Sequence, residues 1–369
     1  MARILVGMSG GVDSSIAALL LKKQGYDITG AYIKTWSNEY DVFGDCPSAE
    51  DIEYASATCK KLGIGFEVVN LIDTYHEKIV QYLVDGYRRG ITPNPDIMCN
   101  REIKFGAFLD FALQNGFSEV ATGHYCRLVE PNTGTRYIAE GLDKNKDQSY
   151  FLALTHPDQL KHARFPVGEL EKSEVRALAR EHDLPNANRK DSQGICFLGK
   201  VKINDFLKTY IPDRPGLIVN SSGKPLGEHK GLHRYTIGQR KGIGIPSNQD
   251  FKAYVVVAKD LETNQLIVAF DDSDTPGLYC KSVVVHSHSF CTRPFIEDPP
   301  RECRVRYRDP RIPIERVERL EGDSFRVVFE TPQRALAQGQ VLAFYEEERL
   351  LGGGVMIPEG SLVGSSYSI

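Results

Sequence analysis

Apolar positions in the first third of the chain alternate between two periodicities. The run Ile4-Leu5-Val6-Gly7-Met8 is short and continuous, as in a buried strand, and Ser9-Gly10-Gly11 separates it from a helical pattern over 14–24 that closes at Gly25. Further strand-like runs lie at 28–33, 66–70 and 119–122, with helical stretches at 49–62 and 103–115 between them. Such alternation predicts a parallel sheet with helices on both faces. Ligands of open α/β sheets bind beyond the carboxyl ends of the strands, where Ser9-Gly10-Gly11, Lys34 to Trp36 and Gly123-His124 all fall.

Between Leu207 and Gly242 the texture changes to Gly, Pro and Lys with little periodicity, which marks a small central module. From Ala253 onward, β-like runs at 253–258, 265–270, 282–286, 302–308, 324–329 and 341–345 are broken by Gly, Pro and Asp, the spacing of a small barrel. A chain of 369 residues exceeds the roughly 250 to 300 at which single cores stop growing. We therefore expect three domains: an α/β catalytic domain over 1–205, a small central domain over 206–278 and a β-barrel over 279–369.

Composition narrows the class. Apolar residues at 41% and charged residues at 25% are enough for packed interiors and carry no signature of disorder. The apolar run at the N-terminus stops at Met8, too short for a signal segment, and no other run approaches spanning length, so a cytoplasmic location without a membrane partner is expected. In that compartment the eight cysteines are mainly thiols. The closest two in sequence, Cys280 and Cys291, are eleven apart, so no C-x-x-C pair suggests a zinc knuckle, and Cys46, Cys59 and Cys126 read as ordinary buried thiols. Net charge of −4 argues against a uniformly nucleic-acid-binding surface, but two stretches are locally basic. Lys230, Arg234, Arg240, Lys241 and Lys252 face one acid, Asp250, and Arg304, Arg306 and Arg308 alternate with Cys303, Val305 and Tyr307. The second pattern places guanidiniums on one face of a strand, suited either to phosphates or to plain solvation.

Ser9-Gly10-Gly11-Val12-Asp13-Ser14-Ser15 joins a strand to a helix, so its amides can face a phosphate without side-chain obstruction, and Ser14 and Ser15 add hydroxyls. It is neither a Walker A loop nor G-x-G-x-x-G. The heptapeptide resembles the loop of the PP-loop ATP pyrophosphatases, which implies ATP binding and cleavage between the α and β phosphates, within a Rossmann-like sheet. Two cysteines stand in unusual contexts. Thr92-Pro93-Asn94-Pro95-Asp96-Ile97-Met98-Cys99-Asn100 leads into a helix with apolar Phe105, Phe108, Leu109, Ala112 and Leu113 on one face. Placed at the start of that helix, Cys99 is either a thiolate stabilised by the positive dipole end or a small buried hydrophobe, with Asp96 nearby to move a proton. The second context is Asp191-Ser192-Gln193-Gly194-Ile195-Cys196-Phe197.

Asn94-Pro95-Asp96-x-x-Cys99-Asn100 with Glu102 to Phe105, the Cys196 segment, Lys146 to Leu152, Thr236 to Gly242 and Gly339-Gln340 together resemble the tRNA 2-thiouridylase family over nearly the whole chain. The resemblance implies that Cys196 carries a persulfide, that Cys99 is the nucleophile freeing the sulfur by forming a Cys99–Cys196 disulfide, and that Asp96 is the general acid/base. It implies ATP held by Gly7, Met8, Ser9, Gly10, Gly11, Val12, Asp13, Ser14, Gly123 and Ile33, the last where many relatives have methionine, with Mg2+ near Asp13. It implies tRNA, probed at a flipped wobble uridine of Lys, Glu or Gln acceptors, contacted by Asn94, Pro95, Asp96, His124, Lys146, Asp147, Gln148, Arg306, Tyr307 and Gln340. A sulfur-relay protein or cysteine desulfurase is the implied donor. Three other readings stay open: an iron-sulfur cluster on Cys99, Cys196 and Asp96, a different PP-loop ligase or amidating enzyme that needs no thiols, and a non-catalytic RNA-binding protein.

Overall fold

A computed structural model describes residues 2–36, 48–130, 136–190, 202–246, 252–290 and 298–359. Cys46, Cys196 and Cys291 lie outside the described residues. The chain opens with strands β1 (Arg3–Gly7), β2 (Asp27–Lys34), β3 (Gly65–Asn70) and β4 (Glu119–Ala121), followed by a hairpin of β5 (Cys126–Val129) and β6 (Tyr137–Glu140) and by β7 (Ala163–Arg164). Five of them form one parallel sheet in the order β3-β2-β1-β4-β7. Alternation along β1 divides the interior: Ile4 and Val6 pack into one apolar layer and Leu5 into the other.

Helix α1 (Val12–Lys23) buries Val12, Ile16 and Leu19, and it carries Asp13 in its first turn and Lys22 and Lys23 in its last, which suits the helix dipole. It shares its core with α2 (Ser48–Leu62) and with the later helix over Lys172–Glu181. On the other face, α3 (Ile72–Tyr75), a π-helical turn His76–Val80 and α4 (Gln81–Arg88) run on as one rod. A second rod is made of α5 (Pro95–Met98), the π-helical segment Cys99–Ala107 and α6 (Phe108–Gln114). Phe105 and Phe108 of this rod are fully buried with Ile79 and Leu83 of the first. Helices α7 (Pro157–Leu160), α8 (Lys172–Glu181) and α9 (Ile203–Leu207) complete the first part of the chain.

The central stretch is a four-stranded sheet, β10-β11-β8-β9, of β8 (Gly216–Asn220), β9 (Pro225–His229), β10 (Tyr254–Asp260) and β11 (Gln265–Phe270). The C-terminal stretch holds β12 (Tyr279–Phe290), β13 (Glu302–Arg304), β14 (Ile312–Arg319), β15 (Phe325–Arg334), β16 (Val341–Glu346) and β17 (Arg349–Pro358). Their order β12-β15-β14-β13-β16-β17, with β12 also paired to β17, closes a six-stranded antiparallel barrel. The hairpin β5-β6 extends this sheet through the pairing of Ala139 with Arg349.

The α/β sheet and a C-terminal barrel are thus as the periodicity predicts, but the runs at 253–258 and 265–270, read with the barrel, instead pair as β10 and β11 with β8 and β9 of the central sheet. The expected strand over 302–308 ends at Arg304, and Arg308 adopts φ +65°, so the alternating guanidinium face does not form. The guanidinium of Arg304 turns inward to Glu140 at 2.8 Å and Asp147 at 2.9 Å, both buried. Strand β17 went unread because Gly352-Gly353-Gly354 looks like a turn. There an added Cβ would meet Ser289 O, Leu342 O and Val285 Cγ1, so close strand approach is what requires glycine.

Candidate active site

The C-terminal edge of the parallel sheet carries the site at its switch point, since the neighbours of β1 are β2 on one side and β4 on the other. Beyond β1 the Met8 amide donates to Ala31 O at 2.8 Å while the Met8 side chain is buried, as is that of Val12, so of the expected nucleotide residues these two present backbone only. Gly10 has φ +75° and lies so close to α2 that a Cβ would sit 2.6 Å from Asp51 O. The loop is braced from within by Ser14 Oγ and Ser15 Oγ, which donate to Gly11 O at 3.0 and 3.1 Å. From outside, Asn186 Nδ2 donates to Gly10 O and Ser15 Oγ at 2.8 Å, and Arg189 donates to Gly10 O at 3.2 Å while pairing with Asp51 at 2.6 Å.

The N-cap of α1 is Gly11, and no side chain caps the helix. Its first-turn amides therefore present a positive end that suits a polyphosphate. Gly123, after β4, is flush with that turn: a Cβ there would lie 2.7 Å from Asp13 C and from Ser14 N. Ile33, partly buried near the end of β2, supplies an apolar wall. Asp13 Oδ1 accepts from Tyr125 Oη at 2.7 Å and from Lys172 Nζ at 2.6 Å. The oxygen expected beside magnesium is thus already balanced by a lysine. Tyr125, Lys172, Asn186 and Arg189 are parts that sequence reasoning missed. Asp13 and Lys172 are 159 residues apart, and no local pattern announces such a pair.

The cysteine rod needs one correction. Its N-cap is Asn94, whose Oδ1 accepts from Ile97 N at 3.2 Å, with Pro95 in the first turn. Cys99 therefore does not begin the helix but opens the π segment one turn later, buried with Ile97 and Ile103, where the amides are inside the helix. The dipole acts on Asp96, in the first turn, rather than on Cys99. The segment before the cap is clamped by both later parts of the chain. Gln340 Nε2 donates to Thr92 O at 2.7 Å and Pro93 O at 3.4 Å, Thr92 N donates to Gln338 O at 2.9 Å, and the hydroxyls of Thr92 and Thr236 lie 3.3 Å apart.

Burial pushes the Asp96 carboxyl above its ordinary range, and the Lys104 ammonium opposes it. His124 is buried against Phe105 and Phe165, with Nδ1 2.7 Å from Thr122 Oγ1 and Nε2 3.4 Å from Lys104 Nζ. Burial first, then Lys104, hold its imidazole well below the usual histidine range, so it is neutral. Because His124 follows Gly123, one dipeptide joins the phosphate cradle to the cysteine rod.

Of the other expected RNA contacts, Asp147 is buried and its carboxylate is taken by Gly141 N and Ser149 N at 3.1 Å, Ser149 Oγ at 3.0 Å and Arg304. It shapes the turn that carries Lys146 and Gln148 and has no carboxylate oxygen left for RNA. Gln148 Oε1 accepts from Tyr125 N at 3.0 Å. Arg306 donates to Ala335 O, and Tyr307 packs on Phe151 at 4.4 Å between centroids with Arg308 over its ring at 4.9 Å. Cys59 and Cys126 are buried thiols, that of Cys59 pushed up to about 11 and that of Cys126 well up as well, so neither is a nucleophile. Among the described residues no helix is long and apolar enough to cross a membrane, and no three His, Cys, Asp or Glu converge as a metal site.

Residues 2–200 match a family described as the tRNA methyl transferase HUP domain, residues 204–270 the tRNA methyl transferase PRC-barrel domain, and residues 281–356 the aminomethyltransferase beta-barrel domain. A protein of Akkermansia muciniphila named tRNA-specific 2-thiouridylase MnmA is 53% identical over 355 residues, 96% of this chain and 98% of that protein. Like-named proteins of Pseudomonas syringae and Streptococcus agalactiae are 44% and 43% identical over 362 residues, 96% of this chain and 94% and 95% of theirs.

Proposed function

The chain belongs to the tRNA-specific 2-thiouridylase family, and on that premise we propose that it replaces the O2 oxygen of the wobble uridine of tRNA by sulfur, using ATP and a cysteine persulfide. The observation that carries this reading is the uncapped first turn of α1 with Gly123 pressed against it and His124, the next residue, in contact with the rod that bears Asp96 and Cys99.

ATP lies with its phosphates on the α1 amides, between the Gly10-Gly11 loop and Gly123. Magnesium, when bound with ATP, neutralises phosphate charge. A tRNA uridine flipped from its stack enters between the cradle and Asn94-Pro95-Asp96. Asp96, whose raised carboxyl range brings it nearer to working pH, takes the N3 proton as uridine O2 bonds to the α-phosphorus and pyrophosphate leaves with the broken bond's electron pair. Adenylation turns a poor leaving oxygen into AMP. The terminal sulfur of a Cys196 persulfide bonds to C2 and AMP departs. The Cys99 thiolate then attacks Cys196 Sγ, the persulfide S–S bond breaks onto the sulfur held by C2, and Asp96 returns the proton to N3. A Cys99–Cys196 disulfide remains, and an external dithiol must reduce it before the next turnover.

The persulfide comes from a relay protein or cysteine desulfurase. Asn94, His124, Lys146, Gln148, Arg306, Tyr307 and Gln340 line the path of the RNA, between a catalytic part over 1–205, a central part over 206–278 and a barrel over 279–369. Mass spectrometry of tRNA nucleosides after incubation with ATP, magnesium and a persulfide source tests the reading. A sulfur-for-oxygen mass gain on uridine is expected, lost in Cys99→Ser and in Cys196→Ser. Unmodified tRNA with the wild-type protein, or undiminished thiolation by either variant, would overturn it.

A further inference from the structure

Lys104 belongs to neither the nucleotide loop nor the cysteine pair, yet its ammonium reaches His124, the residue after Gly123. Hydrogen bonds in a π segment run from residue i to i+5, so Lys104 comes one turn after Cys99, on the side of the rod that faces His124. An ordinary α-helix would rotate a residue five places on well away from that side. A lysine ammonium can only donate. The 3.4 Å contact therefore makes Nε2 of the neutral ring an acceptor, leaving the ring proton on Nδ1, where it is donated to Thr122 Oγ1 at 2.7 Å. The same ammonium is the cation acting on Asp96. Other charged or titratable neighbours are otherwise engaged: Arg101 pairs with Glu102 at 2.7 Å, and the buried Tyr82 hydroxyl bonds to the Asn94 backbone.

Resting on the thiolation reading above, we propose that Lys104 is a positioning residue that fixes His124 as the Nδ1–H tautomer and supplies the counter-charge of Asp96. Two consequences follow. Lys104 occupies the Nε2 lone pair of His124, so that nitrogen is not free to take the uridine N3 proton, which falls to Asp96. Removing the ammonium raises the Asp96 carboxyl further, because desolvation then acts unopposed, and the protonated form persists to higher pH.

The test compares Lys104→Met, Lys104→Gln and Lys104→Arg in the full chain by two readouts. Ring nitrogen NMR of His124, read without substrate, is expected to show Nδ1–H in wild type and a shift toward Nε2–H in the Met variant. Single-turnover thiolation against pH is expected to have its acidic limb displaced upward by half a unit or more in the Met and Gln variants, with the limb restored by Arg. A His124 tautomer and an acidic limb both unchanged in well-folded Met and Gln variants would overturn the proposal, as would a uniform loss of rate that Arg does not rescue. If wild-type protein makes no thiouridine, the thiolation reading fails, while the NMR comparison still decides the tautomer separately.

Discussion

Substituting Gly123 by alanine adds one methyl group where β4's end is pressed against the first turn of α1. That Cβ would lie 2.7 Å from Asp13 C and Ser14 N and 3.0 Å from Asp13 O, whereas ordinary contact begins at 3.4 Å, so the helix start must retreat by 0.7 Å, the difference between 3.4 and 2.7. The obstructing atoms are main chain and cannot rotate aside. Behind them α1 is anchored by Val12 and Ile16, both buried. Overpacking of this kind costs about 1–3 kcal/mol in stability. Because the displaced amides are those proposed to face the phosphates, and a misplacement near 1 Å can cost on the order of 10²-fold in rate, Gly123→Ala should weaken ATP binding and slow tRNA-dependent pyrophosphate release by about tenfold or more, equivalent to roughly 1.4 kcal/mol.

Gly25→Ala is the control at the other end of the same helix. Gly25 has φ +85° with nothing within 4 Å of its missing Cβ, so alanine there is strained but unobstructed. It should cost about 1 kcal/mol of stability and leave ATP binding alone. Titration calorimetry with a non-hydrolysable ATP analogue, pyrophosphate release and urea unfolding measure all three quantities. If Gly123→Ala loses stability yet binds the nucleotide as tightly as wild type, the close approach is merely packing and the reasoning fails.

Gln340→Ala removes the donors to Thr92 O and Pro93 O, the first in a partly buried residue and the second in a buried one, so stability should fall by about 1 kcal/mol. Single-turnover thiolation should fall by about tenfold as the Asn94 cap and Asp96 lose their anchor, and equal effects on urea midpoint and rate would argue against a clamp. Lys259, buried with Nζ 3.0 Å from Gly90 O, is held down to about 8 by desolvation. Its folded value lies below its unfolded one, so between pH 8 and about 10.4 the unfolded chain binds more protons, and the stability of wild type relative to Lys259→Met should rise by about 3 kcal/mol across that window and stay flat below it. Urea unfolding of both proteins from pH 7 to 10.5 checks the sign, and a difference that does not grow with pH refutes it.

Local signals carried most of the fold. The short apolar run before Ser9-Gly10-Gly11 and the 3.6-residue period after it located β1 and α1 within a residue or two. The barrel was legible from evenly spaced runs, but β14 and β17 were not, since Pro313 and the Gly352 to Gly354 run read as breakers. Non-local pairs were invisible for a physical reason. Asp13 with Lys172, and Gln340 with Thr92 at a separation of 248, are set by how layers stack rather than by any local period.

The misplaced helix start is a different kind of miss, because its signal was present. Asn94-Pro95 is an N-cap followed by a proline in the first turn, and both mark the beginning of a helix more sharply than the first apolar residue of its stripe does. Reading the start from the stripe put the dipole on Cys99; reading it from the cap puts the dipole on Asp96. The positive end then favours the carboxylate that burial disfavours, so Asp96 is poised between two opposed effects, with Lys104 added to the first. Cys99 receives no such help from its own helix. A thiolate there depends on charges outside the first turn, and Lys104 follows one π turn on. The change from α to π hydrogen bonding at Cys99 therefore bears on the site, since it sets the turn from which Lys104 reaches His124.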